Sequence, residues 1–147
     1  MNDNNISITP AEVNDSKRIT ELCIQLGYMA ELNEITERLL KLISKEGTIL
    51  YVAKQNGRIL GWAQASIRSA IETGEFVEIT GLVVDESVRG KGIGKSLVIK
   101  IEEWSKKLGY DFLRVRTNII RTETHLFYRG IGFEEKKKQT VFQKKLI

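Results

Sequence analysis

Apolar residues along this chain recur in two different periods, and the places where the period changes divide it into elements. A brief alternation in "ISIT", residues 6–9, predicts an opening strand ended by Pro10. Ile19, Leu22, Cys23 and Leu26 then recur at intervals of three and four. That is the stripe of a helix, started by Asn14 or Asp15 as cap and running to about Gly27. A second helix is predicted over about 31–45, with Leu32, Ile35, Leu39, Leu42 and Ile43 on one side. "GTILYVAK" and "RILGWAQASI" read as two strands joined at Gln55–Asn56–Gly57, because Asn-Gly supplies the positive φ angles a tight hairpin needs. "EFVEITGLVV", 75–84, is a third long strand.

After it the period changes abruptly. Ile93, Leu97, Ile101, Trp104 and Leu108 mark an amphipathic helix closed by Gly109. "YDFLRVRT" predicts another strand, "RTETHLFYRG" a short helix, and "GFEEKKKQTVFQKKL" two final strands around a polar turn. A helix pair, a run of strands and then strand–helix–strand make an α/β chain with a mixed sheet, not a regularly alternating one.

Composition narrows the classes. The 147 residues suit a single domain, 1–147, and 41% hydrophobic with 29% charged residues is ordinary for a globular protein. The apolar runs are too short to span a membrane. The polar start, "MNDNNISITP", gives no expectation of a signal peptide. One cysteine cannot form an internal disulfide, which fits a cytoplasmic protein. Its place on the apolar stripe makes Cys23 a packed thiol. With one His and one Cys no metal site of those ligands is expected. The net charge of +4 favours anionic partners without naming one. The lysines at 136–138 and 144–145 read as a solvated strand and turn, so no nucleic acid is expected.

The chemistry gathers at "VVDESVRGKGIGKS", residues 83–96. A strand ends at Val84, a short turn follows, and a long helix begins near Gly92. Such a helix start presents unpaired N–H groups and partial positive charge to an anion. Gly90, Gly92 and Gly94 clear the way to the backbone, and Arg89, Lys91 and Lys95 add charge. "GKS" imitates the end of a P-loop, but that motif needs glycine where Arg89 stands. The dinucleotide fingerprint fails as well, at Lys95 counted from Gly90 and at Leu97 counted from Gly92. What remains is R-x-x-G-x-G: Arg89, Gly92, Gly94.

"VRGKGIGKSLV" resembles motif A of the GNAT superfamily of acetyl-coenzyme A-dependent N-acetyltransferases. "NIIRTETHLFYRGIGF", 118–133, is similar to that family's downstream signature at Asn118, Arg121, His125, Phe127, Tyr128, Gly132 and Phe133, with Thr124 in place of the usual Ala. The resemblance covers nearly the whole chain, "QLGY" at 25–28 included. It implies a GNAT-like mixed, splayed central sheet flanked by helices, opening after the fourth strand to admit pantetheine. Acetyl-CoA is then the cosubstrate, and the diphosphate at the loop is coenzyme A's. Gly81 fits that picture, because an interior strand glycine marks a bulge or a close approach.

The resemblance further implies cofactor contacts from Leu82, Val83, Val84, Arg89, Gly90, Lys91, Gly92, Ile93, Gly94, Lys95 and Asn118, the last also a candidate cap for the short helix. Backbone N–H groups at Leu82–Val84 would face the carbonyl and the pantetheine amides. Tyr128 is the candidate acid for the departing thiolate, or else packs against the cofactor. On alternation Phe76, Glu78, Thr80, Leu82 and Val84 share one strand face. That makes Glu78 either the base for the amine, acting through water, or the partner of Arg114 or Arg116. Glu75 is a weaker base candidate, and His125 reads as a structural hydrogen-bonder. Tyr28, Met29, Trp62 and Gln64 are acceptor-lining candidates, each with a core-packing alternative. The acceptor expected is a small-molecule amine, with Glu31, Glu34 and Glu37 available to a cationic one. The family also makes a homodimer an expectation. The rival reading is a non-catalytic acetyl-CoA-sensing or basic binding module.

Overall fold

A computed structural model describes residues 5–147. They fall into two compact units, the first ending at Arg116 and the second covering Thr117–Ile147.

The first unit is a five-stranded sheet in sequential order: β1 (Ser7–Pro10), β2 (Thr48–Gln55), β3 (Arg58–Ala70), β4 (Gly74–Val84) and β5 (Leu113–Val115). Neighbours from β1 to β4 are antiparallel, and β4 and β5 run parallel. The helix α3 (Ile93–Lys107) makes the crossover that a parallel pair needs. Helices α1 (Ser16–Gln25) and α2 (Leu32–Ile43) lie between β1 and β2 in the chain. The Asn-Gly hairpin forms as expected, with Asn56 at φ 52° and Gly57 at φ 76°. Gly109, at φ 87°, follows the C-cap Leu108 of α3.

One core cluster joins Ile19, Leu22 and Cys23 of α1 and Leu39 of α2 to Leu50, Val52, Ile59 and Val83 of the sheet. Cys23 is therefore the packed thiol expected, and burial pushes its pKa up. The apolar stripe of α2 is less buried than its spacing suggests: Leu39 is fully covered, but Leu32 and Ile43 are exposed.

The predicted single face of β4 does not survive. Gln64 of β3 pairs with Gly81, yet Ala65 pairs with Ile79, so Thr80 is an extra residue with no counterpart. This bulge inverts the alternation. Glu78 opposes Ser66, Gly81 opposes Gln64 and Val83 opposes Trp62. Glu78, Gly81 and Val83 thus share one face, while Leu82 and Val84 move to the other. Gly81 is required here as well: a Cβ would lie 2.7 Å from the Trp62 ring.

The fifth strand is shorter than "YDFLRVRT" predicts, because it pairs only along Val77–Ile79. On that side residues 80–84 of β4 have no strand neighbour among the described residues.

The second unit holds α4 (Thr122–Gly130), with Tyr128 in edge-to-face contact with Phe127 and Phe133 at centroid distances of 5.0 and 5.3 Å. The two final strands predicted in 134–147 do not form. A strand persists only where a neighbour takes up its backbone groups. None of these residues enters a ladder, and Val141, Phe142 and Leu146 stay exposed.

Candidate active site

The unpaired stretch of β4 leads straight into the glycine loop. Leu82, Val83 and Val84 bond to β3 on one side only, opposite Ala63, Trp62 and Gly61. The free edge over 80–84 is the splay that the resemblance implied, and it leaves these residues without a strand partner on that side.

Beyond Val84 the chain makes one 3₁₀ turn, Glu86–Val88, and then reaches Gly92 at the N-cap of α3. Gly90 and Gly92 take φ of 79° and 85°, a left-handed conformation that side chains resist. An added Cβ would meet nothing within 4 Å at either, so the space around them is open. The first-turn N–H groups of Ile93, Gly94 and Lys95 have no intrahelical acceptor, as in any α-helix. Here the glycine cap gives them no side-chain partner, and no acidic residue stands in the first turn. Most helix starts neutralise their partial positive charge with such groups. This one leaves it open and adds the exposed Arg89, Lys91 and Lys95, with Arg89 Nε donating to the Val84 carbonyl at 3.3 Å. Ile93 and Gly94 themselves are buried. An anionic group fits this chemistry.

The loop is held by residues that sequence reasoning missed. Asp85, 3% exposed, accepts from the Ser87 N–H at 2.9 Å, the Ser87 hydroxyl at 2.8 Å and Arg18 Nη2 of α1. The Ser87 backbone bond, against the opposing effect of burial and aided by the Ser87 hydroxyl and Arg18, lowers its carboxyl to about 2. The resulting stability is whole above the ordinary 3.8 and is lost as pH falls toward about 2. An acid placed between a strand end and a glycine loop was the available signal.

Glu78 is 4% exposed, with Arg116 Nε 2.7 Å from one oxygen and Arg68 Nε 3.4 Å from the other. The Arg116 N–H is not aimed at that nearer oxygen, which has no hydrogen-bond partner. The contact is thus a charge pair without a directed bond. Arg114, although opposite Glu78 in register, instead lies 4.5 Å over the Phe76 ring. Two guanidiniums around one buried carboxylate favour the ion-pair reading. Glu78→Gln is therefore expected to lower the melting midpoint by about 2–4 °C per kcal/mol lost. Its kcat should stay within about tenfold of wild type, short of the loss a general base shows. A hundredfold fall in kcat at unchanged melting point would restore the base. Glu75, at the opposite end of β4 from the loop, accepts from the Tyr110 hydroxyl at 2.5 Å.

In the second unit burial pushes the Tyr128 phenol up to about 12. Asn118 does not cap α4 as expected: Arg121 holds that position. Asn118 Oδ1 accepts from the Ile120 N–H at 3.2 Å in a local turn. The carbonyl of Asn118 lies 2.9 Å from His125 Nε2, the structural bond expected of that histidine. Of the acceptor candidates, Tyr28 and Met29 are exposed at the α1–α2 connection. Trp62 is half-buried against the core, its indole N–H buried without a partner.

The model of the acetyltransferase (GNAT) family matches residues 17–133. The chain belongs to this family. It is an acetyl-CoA-dependent N-acetyltransferase. It is similar to an uncharacterized N-acetyltransferase, YhdJ, of Bacillus subtilis, at 30% identity over 74% of this chain and 78% of that protein. It is also similar to an aminoglycoside N(6')-acetyltransferase type 1 of Stenotrophomonas maltophilia, at 23% identity over 82% of each chain. Among solved structures, the GNAT fold seen here is shared with AAC(6')-Iy in complex with a bisubstrate analog, CoA-S-monomethyl-acetylneamine. The TM-score is 0.86 at 21% identity, over 96% of this chain and 99% of that one. No helix of the described residues is long and apolar enough to cross a membrane.

Proposed function

We propose that this GNAT protein, acting as one domain, moves the acetyl group of acetyl-CoA to a primary amine of a small molecule, by direct attack in a ternary complex. The observation that carries this reading is the free β4 edge over 80–84 running into an uncapped, acid-free helix start. The strand edge would take the pantetheine amides, and the N–H groups of the first turn of α3, with Arg89, Lys91 and Lys95, the diphosphate. The amine nitrogen bonds to the acetyl carbon as the carbon–sulfur bond breaks. The carbonyl oxygen gains charge in that step, and backbone N–H groups at Leu82–Val84 are suited to stabilise it. The amine gives its proton to water, and the thiolate takes one from Tyr128, a role resting on its place in the signature motif.

The acceptor class draws on the relatives, one of which is an aminoglycoside N(6')-acetyltransferase type 1. Exposed Tyr28 and Met29, with exposed Glu31 and Glu34 at the start of α2, offer apolar contact and negative charge to an organic cation. Glu34 is shared with Arg38 at 3.6 Å, which dilutes that charge. A homodimer remains our reading of the assembly, since it would cover the exposed Val141, Phe142 and Leu146.

Incubation with acetyl-CoA and a panel of aminoglycosides, polyamines and amino acids, following free thiol, is expected to show release with at least one amine. Binding of coenzyme A without release across the panel would favour the sensing module instead.

A further inference from the structure

The turn that delivers the glycine loop is fastened to α1 at two places. Arg18 Nη2 donates to Asp85, and seven residues on, Gln25 Oε1 accepts the Glu86 N–H at 3.0 Å. Residues seven apart lie on the same face of a helix, so one side of α1 spans the turn. Arg18 is itself anchored: its Nε donates to the Ile59 carbonyl at 2.9 Å and its Nη1 to Glu21 at 3.1 Å. Asp85 is anchored from the other direction, its N–H donating to the Leu60 carbonyl at 2.8 Å. Arg58, at 3.9 Å from the Asp85 carboxylate, adds a second, more exposed positive charge.

The pair is too buried to serve as a ligand-binding group. The Arg18 side chain is 17% exposed and that of Asp85 is 4% exposed. What it governs is the direction in which the chain leaves β4. The Asp85 carboxylate folds the 86–88 turn through its two Ser87 bonds, and Val88 N–H closes that turn on the Asp85 carbonyl at 3.1 Å. Only three residues then separate Val88 from Gly92, so a small rotation at Asp85 moves the whole N–H cradle. Such cradles work only when their donors are fixed before the anion arrives.

We propose that Arg18 and Asp85 are positioning residues for coenzyme A: their buried ion pair holds the diphosphate loop at its working angle against α1. This rests on the loop being the diphosphate site.

The test uses the full chain and coenzyme A itself. Calorimetric Kd for coenzyme A, KM for acetyl-CoA, KM for an amine from the panel, kcat and melting point are measured for wild type, Arg18→Met, Asp85→Asn and the double variant. Arg18→Met is expected to raise the coenzyme A Kd about tenfold, about 1.4 kcal/mol. The amine KM and the kcat at saturating acetyl-CoA should stay within about twofold. Asp85→Asn, which keeps an oxygen for Ser87, shifts Kd the same way by less. The double variant binds no worse than Arg18→Met, since the two side chains act as one unit. A purely structural pair would lower the melting point and leave Kd unchanged, and that result overturns the proposal. So does a fall in kcat with Kd intact. If Arg18→Met does not fold, Asp85→Asn alone decides by the same criterion. Wild type that does not bind coenzyme A overturns the diphosphate site together with this inference, whereas wild-type binding with indifferent variants overturns the inference alone.

Discussion

Gly92→Val is expected to bind coenzyme A about a hundredfold more weakly, roughly 2.7 kcal/mol, by calorimetric titration. Gly92 sits at φ 85° as the N-cap of α3. A β-branched residue there meets the steric penalty of the left-handed region, about 1–2 kcal/mol even for an ordinary side chain. It escapes only by turning the first-turn N–H groups away from their common focus. Its methyls also enter the open space beside the backbone, which the proposed diphosphate would occupy. Gly92→Asn separates the two causes. Asparagine tolerates the left-handed conformation, so it retains more affinity than valine if backbone strain dominates and loses as much if bulk does. A valine variant binding coenzyme A like wild type would remove the loop from the site.

Tyr128→Phe is expected to lower kcat about a hundredfold, the lower end for a general acid, with the coenzyme A Kd within about twofold of wild type. Phenylalanine keeps the edge-to-face contacts with Phe127 and Phe133, so the change removes an O–H and little packing. Burial adds a signature in pH. The phenol, raised to about 12, stays protonated throughout the usual assay range. Wild-type kcat should then show no alkaline loss from Tyr128 below about pH 11, and should instead rise as the acceptor amine deprotonates. Folding linkage has the same sign: a raised pKa gives stability that is full below the ordinary 10 and lost as pH climbs toward about 12. A fully active Phe variant, or an alkaline limb near pH 10 that vanishes in it, would contradict this assignment in role or in environment.

Local periodicity carried the helices and the long strands, because each is decided by neighbours a few residues away. The hairpin at Asn56–Gly57 and the cap at Gly109 were legible for the same reason, since both require positive φ. The open, acid-free helix start at Gly92 was legible because its glycines and cations are contiguous. What escaped was set by distant partners. Nothing in "EFVEITGLVV" says that Ala65 will pair with Ile79 and Gln64 with Gly81, which is what inverts the face at Thr80. Arg18 and Asp85 stand 67 positions apart, and only the fold brings them together. Glu78 was legible as a buried carboxylate, and Arg116 as one of its partners. Arg68 was not, because its neighbour across β3 and β4 depends on the same register. The strands expected after Phe133 failed because pairing is a property of two segments, and here the second is missing.

The extra residue at Thr80 divides β4 into two stretches that run out of phase. The lower one is clasped on both edges, by β3 and by β5; the upper one is clasped by β3 alone. Pairing Thr80 regularly into the ladder would bring both into step, swinging Val83 out of the interior and Leu82 into it. The strand would gain regularity and forfeit the half-turn that aims its last residues, so the irregular ladder is a requirement of this enzyme and not a flaw in its sheet.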